Sequence, residues 1–466
     1  MNRLNLADQW PTFTVATLAS AFGAMLLQVT GLLGASIRAD DTAASSGTAM
    51  LMLAITAWVF IVIAVYVGAI VTSNTVATVV AGRTRLIALL RLVGASARSQ
   101  RAAIAREGLV VGTAGAVAGV LVGSFAAWGL GRWAVVADVI PETPYDWVNV
   151  WVAPPAAVVA LTTWLAAWVG SRRVLSVRPA EALGGANESS HDELRTRRGR
   201  NATAITLTVA GVALLALGVL AGLVTPLGVF IGLIGGILSF TGIVLGAHVV
   251  MPPVLRAVGR LLGRSPSARL AAENAVRNPE RSSRMTIGLV IGVTLVTMFA
   301  VAMESYRVLM IESVADRPEL VAGIQAMVDA TVAVFSVLIG FSALIAAIGL
   351  VNTLSLSVLQ RGRELGLLRA LGFERRQLRA MVVAEAAALT AAATVVGVAL
   401  GVAYGWAGAQ SLLGGATGQP LLIAPVMPWP VLGLVVVAAV VLTIIASVAP
   451  ARRAARVSPV EALAVG

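Results

Sequence analysis

Long apolar blocks alternate with short polar ones along the whole chain, and most of the polar blocks are basic. The apolar blocks cover residues 11–34, 51–80, 108–130, 152–170, 202–224, 227–250, 285–303, 327–359, 381–408 and 429–449. Most reach or exceed the roughly 20 residues a helix needs to cross a bilayer, so the pattern predicts ten transmembrane helices. The fifth and sixth blocks flank Thr225-Pro226 and form a tight helical hairpin. The second block would be about 45 Å long at 1.5 Å per residue, so one end projects beyond the bilayer. The composition agrees: 58% of residues are hydrophobic and 12% are charged, against about 25% charged in soluble chains. The fold class is an all-α integral membrane protein.

Charge then orients it. Residues 1–10, 81–107, 171–201, 251–284, 360–385 and 450–466 hold 30 of the 34 arginines and 12 of the 22 acidic residues. The segments facing the other way hold 4 arginines and 10 acids. Arginine collects on the cytoplasmic side of membrane proteins, which places both termini there and assigns the net charge of +12 to the membrane surface, not to nucleic acid. Residues 304–325 read as an outer polar loop with net negative charge. Within 251–284, Arg256, Arg260 and Arg264 recur every four residues opposite Val254, Leu255, Val258, Leu261 and Leu262, the pattern of an interfacial amphipathic helix.

The chain is similar to itself. At an offset of 278, Asn74-Thr75 falls on Asn352-Thr353, Arg83 on Arg361, Leu89-Leu90-Arg91 on Leu367-Leu368-Arg369, Gly94 on Gly372 and Glu107 on Glu385. At 280, Arg172-Arg173 falls on Arg452-Arg453 and Glu181-Ala182-Leu183 on Glu461-Ala462-Leu463. Spans 1–4 and 7–10 are thus read as two parallel copies of one four-helix unit, with spans 5 and 6 inserted (4+2+4). The expected organisation is a first unit over 1–185, a linker over 186–201, the hairpin over 202–250, an amphipathic segment over 251–284 and a second unit over 285–466.

Residue chemistry narrows the function. There is no cysteine, only His191 and His248, and no lysine among the 34 basic residues. Thiol catalysis and thiolate metal sites are excluded. A phosphate-binding loop of the G-x-x-x-x-G-K-[ST] kind needs its lysine, so an ATP-driven process requires a second subunit. Span centres lack the acidic or histidine relay expected of a proton-coupled exporter. Gln28, Asn74 and Asn352 are the polar residues worth naming in or at the ends of spans; interhelical hydrogen bonding competes with substrate contact for their role. The N-x-[ST] matches at Asn187 and Asn201 are discounted, since they fall on the cytoplasmic side.

Six arginines and three glutamates gather in Arg361–Glu385, RGRELGLLRALGFERRQLRAMVVAE. It reads as a helix-turn-helix on the membrane surface, broken at Gly372, with a leucine side open to a partner. A plain basic loop is the alternative for one such stretch; the second copy at 83–107 argues against it.

Those residues, PARRAARVSPVEAL near the end, and ARLAAENAVRNPERSSRMTIGLVIGV before span 7 resemble the FtsX/MacB-type family of ABC transporter permeases, in its ten-helix, duplicated branch. The resemblance implies a permease subunit that couples ATP hydrolysis elsewhere to export or extraction of a hydrophobic or amphiphilic compound, in a bacterial cell membrane. It implies a cytoplasmic ABC ATPase as partner, in two copies against one permease chain, with ATP and magnesium held there and none here. It implies coupling-helix roles for Arg361, Glu364, Leu367, Leu368, Arg369 and Gly372, and for Arg83, Leu89, Leu90, Arg91 and Gly94. The first copy departs at Leu86, where the second has Glu364. The outer loops 35–50 and 304–325 are short, leaving out the large external domain of many members. A non-transporting signalling subunit and a proton-driven exporter are the alternatives. The chain is expected not to be an enzyme and to contact membrane lipid.

Overall fold

The computed structural model describes residues 6–39, 54–74 apart from 56, 57, 60 and 64, 89–136 apart from 91, then 142, 145 and 147, 152–171, 198–261, 273, 279–313, 371–415, 421–422 and 424–456. Helices dominate: α1 Leu6–Ala39, α2 Ala97–Val136, α3 Ala153–Gly170, α4 Arg198–Gly222, α5 Gly228–Leu245, α6 Ala247–Leu261, α7 Pro279–Ser313, α8 Arg375–Leu413 and α9 Trp429–Arg456. A further helical stretch runs over Ile61–Asn74. Helix is the form in which a chain this apolar satisfies its own backbone in lipid.

Seven of the described helices are long and apolar enough to cross a membrane: they lie in α1, α2, α3, α4, α5, α7 and α8. Ile61–Asn74 and Trp429–Ile444 are shorter apolar helices at the expected second and tenth spans. The expected eighth span, 327–359, lies outside the described residues. The protein is therefore an all-helical, multi-pass membrane protein.

Several helices outrun the apolar blocks. α2 has 40 residues, about 60 Å, or twice the roughly 30 Å hydrocarbon core. α8 has 39 residues and also starts well before its apolar block. α7 runs on to Ser313, so residues 304–313, expected as loop, form its last turns. Arg198–Asn201, expected as linker, is the first turn of α4. The sixth span ends at Leu245, and α6 begins at Ala247, across the expected domain boundary at 250.

Small residues set the packing. α1 lies along α2, α7 along α8, α2 against α3, and α8 against α9. On α2, Gly108 faces Ala167 and Gly112 faces Thr163 of α3, while Gly115, Gly119 and Gly123 face Ala16, Ser20 and Ala21 of α1. On α8, Gly397 and Gly401 meet Val293 and Thr297 of α7 in the same way. The opposite face of α2 exposes Val117, Leu121, Phe125 and Trp128. Without a hydrophobic drive between helices in lipid, close backbone approach supplies the contact, and the large apolar side chains point to the lipid.

α1 and α7 are the most buried spans. Phe22, Met25, Leu26 and Val29 of α1 form one core cluster with Phe299 of α7, and Val15 and Leu18 form another with Val67, Phe240, Ile287 and Ile291. The α4–α5 hairpin is nearly fused: Gly211 meets Ser239, Gly218 meets Gly232, and Gly242 meets Thr208. At its foot, His248 sits between the Leu245 carbonyl and Asn201 Oδ1, each 3.0 Å away. Asn201 thus serves a structural contact. α6 buries Met251, Leu255 and Val258 against Leu289 and Val290 of α7 and Leu389 of α8, leaving Arg256 and Arg260 exposed. Its apolar side, expected to lie in the interface, is covered by protein.

Candidate functional site

Two turns share one backbone conformation. Gly94 and Gly372 both have φ of +98°, the two positive-φ glycines among the described residues. They stand 278 residues apart, and the helices that follow start at Ala97 and Arg375, the same interval. A residue with a Cβ would be strained by about 1–2 kcal/mol in that left-handed region, which is why glycine stands at both.

The first turn closes a helix end at Leu89–Leu92. The Val93 N–H donates to the Leu89 carbonyl at 3.2 Å as a helical bond, and the Ala95 N–H to the Leu90 carbonyl at 2.9 Å, the 6→1 bond of a Schellman stop. Ser96 then caps α2: its Oγ accepts from the Ser99 N–H at 3.1 Å. The second turn achieves the same with other residues. The Glu374 side chain accepts from the Gln377 N–H, and the Gln377 side chain accepts from the Glu374 N–H at 2.9 Å, a reciprocal capping box.

Each turn exposes apolar side chains beside arginines. Leu89, Leu90 and Leu92 are exposed, and Val93 is 88% exposed. In the second turn Leu371 is 77% exposed, with Arg375, Arg376 and Arg379 exposed on the first turns of α8. On the first side, Arg101 is tied down: its Nε and Nη2 donate to the Trp168 carbonyl at 3.3 and 3.2 Å, with the guanidinium 4.0 Å over the Trp168 ring. That clamp fixes the start of α2 on the end of α3, so the exposed ridge sits on a held base.

Of the site residues expected from sequence, the structure thus places Leu89, Leu90, Gly94 and Gly372 at these turns. Arg83, Arg91, Arg361, Glu364, Leu367, Leu368 and Arg369 lie outside the described residues. Gln28 is 1% exposed; its Nε2 donates to Ser124 Oγ at 2.8 Å and more weakly to the Trp147 carbonyl at 3.4 Å. It joins α1 to α2. Asn74 ends the helical stretch Ile61–Asn74; Asn352 lies outside the described residues. Among the described residues no three of His, Cys, Asp or Glu gather as metal ligands would.

A cavity that the sequence reading did not mark lies between the helical stretch Ile61–Asn74, α5, α7 and α8, with a volume of about 120 Å³. Phe240 stands between two tyrosines, its ring centroid 6.3 Å from those of both Tyr66 and Tyr404. The Tyr66 hydroxyl is 2.7 Å from Thr241 Oγ1 and donates to the Ile237 carbonyl at 3.1 Å; the Tyr404 hydroxyl is 3.0 Å from Ser239 Oγ. One available signal was that Tyr66 is one of four tyrosines and falls in mid-span, where a buried phenol requires a partner.

A sequence model of the FtsX-like permease C-terminal region matches residues 58–179 and again 336–459, together more than half of the chain. The protein belongs to the FtsX-like permease family. The two matches also start 278 residues apart, and Gly94 and Gly372 fall at the same place in each. A curated relative, the uncharacterized ABC transporter permease YknZ of Bacillus subtilis (strain 168), is 31% identical over 160 residues. That alignment takes in 34% of this permease and 36% of the relative, so this chain spans about a third of the relative it matches.

Proposed function

We propose that this permease is the transmembrane subunit of an ABC-type complex, in which a separate cytoplasmic ATPase drives movement of a hydrophobic or amphiphilic compound out of or across the membrane. The observation that carries this reading is the pair of glycine turns, each presenting exposed leucine or valine at the head of one of the two longest described helices. A partner that seats on both ridges and changes its spacing with ATP would push α2 and α8 along their axes. Each is a continuous helix of about 60 Å, anchored on its neighbour by a seam of small residues, so displacement at one end reaches the other.

Two parallel four-helix units, related by an axis along the membrane normal, would offer equivalent surfaces to two ATPase copies. Glu364, Leu367, Leu368 and Arg369 would complete the second ridge, and Arg83 and Arg91 the first. ATP and magnesium would reside on the partner, because this chain lacks the lysine of a phosphate-binding loop. The arginine-rich ends, both termini included, would face the cytoplasm.

Affinity purification from native membranes followed by an ATP-hydrolysis assay tests the proposal. The expected result is a stoichiometric ABC-type ATPase with vanadate-sensitive turnover in the purified fraction. A homogeneous permease without any ATPase, from membranes where the tagged chain supports wild-type growth, would overturn it.

A further inference from the structure

The cavity beside Phe240 has the chemistry of a hydrocarbon site. Its walls include Ile63, Leu215, Leu233, Ile237, Leu295 and Met298, and among the described residues no charged side chain lines it. The hydroxyls around it are largely committed to the protein: Tyr66 to Ile237 and Thr241, Tyr404 to Ser239, and Ser411 to the Ala407 carbonyl at 2.6 Å. A polar headgroup would find little to bind. Thr294, also on the wall, is the exception; its hydroxyl is buried with no hydrogen-bond partner among the described residues.

Size limits the occupant. An apolar cavity of about 150 Å³ stays dry and accepts benzene; 120 Å³ therefore suits a few methylenes and excludes a whole lipid. Position limits it as well. Every helix around the cavity is apolar, and the α4–α5 hairpin that forms one wall turns Ile205, Val209, Leu220 and Ile234 outward. The supply at that surface is lipid. Two glycines line the cavity with open space where a Cβ would stand: Gly236 on α5 and Gly408 on α8. Elsewhere in the hairpin, at Gly211, Gly218, Gly235 and Gly242, a Cβ would strike backbone. Close helix packing accounts for those four glycines and leaves Gly236 and Gly408 to keep the cavity open.

We infer that this cavity holds the end segment of one hydrocarbon chain of a membrane amphiphile, inserted between the α4–α5 hairpin and the two four-helix units. Tyr66 from the first unit and Tyr404 from the second pin the same helix, α5, so a chain entering here touches all three parts of the molecule. The inference rests on the permease reading only for what binding accomplishes; binding itself does not require an ATPase.

The test uses the purified full-length protein in nanodiscs containing a phosphatidylglycerol with a diazirine near the methyl end of one acyl chain. After illumination, adducts are mapped by mass spectrometry. The expected result is labelling concentrated on residues 232–240, 291–298 and 404–411, reduced at least tenfold by either Gly236→Leu or Gly408→Leu. Gly129→Leu, at a glycine with equal room outside the cavity, leaves labelling unchanged. Thr294→Val, which removes the unpartnered hydroxyl on the cavity wall, leaves labelling the same or raises it. Even labelling over the outer surface, or labelling indifferent to both filling variants in monodisperse protein, means annular lipid only and overturns the inference. A tenfold fall with Thr294→Val overturns the hydrocarbon assignment in favour of an oxygen-bearing ligand. ATPase co-purification is scored separately, so failure of the complex and failure of the site are distinguishable.

Discussion

Replacing Val93 and Leu371 together by aspartate removes the ATPase from the purified permease, with at least a hundredfold loss of affinity, while the permease itself remains folded. Val93 and Leu371 are 88% and 77% exposed, so the substitutions disturb no packing within the chain. In a docked complex each apolar side chain contributes about 1.5–3 kcal/mol by leaving water. An aspartate in its place also carries a charge into the contact. A hundredfold loss is about 2.7 kcal/mol, within reach of one side chain and well within reach of two. Co-purification measured by quantitative immunoblotting, with the melting temperature of each variant as the fold check, decides the matter. Wild-type recovery of the ATPase with the double variant would show that the ridges are lipid-facing or idle.

Gly123→Leu causes a clear loss of stability. A Cβ on Gly123 would stand 2.8 Å from Ala21 Cα and 2.9 Å from its carbonyl carbon, atoms of the α1 backbone that no rotamer change can move. α1 is among the most buried spans, so the two helices must separate along their length. Overpacking of this kind costs about 3 kcal/mol or more, and the helix-propensity gain on losing glycine, up to about 1 kcal/mol, does not offset it. The expected reading is a fall of roughly 2–3 °C in melting temperature in detergent. Gly129→Leu, on the same helix with nothing within 4 Å, holds or rises slightly. Equal behaviour of the two would mean that α1 and α2 are not held by this seam.

Much of the architecture was legible in residue order because lipid allows few solutions. An apolar block of 20 residues has little alternative to a helix, and the offset of 278 pointed to Gly94 and Gly372 before their shared φ was known. Helix ends were less legible. Hydropathy reports where lipid stops, whereas Ser96 and Glu374 report where α2 and α8 start; Arg98, Arg101 and Arg106 carry α2 on into water beyond its apolar block. Glu304–Ser313 was read as loop for the same reason, although it continues α7. The cavity was illegible because apolar residues facing lipid and apolar residues facing protein are alike in composition. Ile63 on the cavity wall and exposed Ile205 differ only in what the fold sets beside them. α6 shows the converse: its apolar stripe is plain in the sequence, but α7 and α8 cover it in place of the lipid interface.

Both glycine turns are proposed to seat on one kind of cytoplasmic ATPase. A photo-crosslinking amino acid placed singly at Val93 and at Leu371, in intact native membranes, tests it directly. The expected result is an adduct with the same ABC-type ATPase polypeptide from both positions, and none from Trp128 on the lipid face of α2. Adducts with lipid alone from both turns, or with the ATPase from neither, would contradict it.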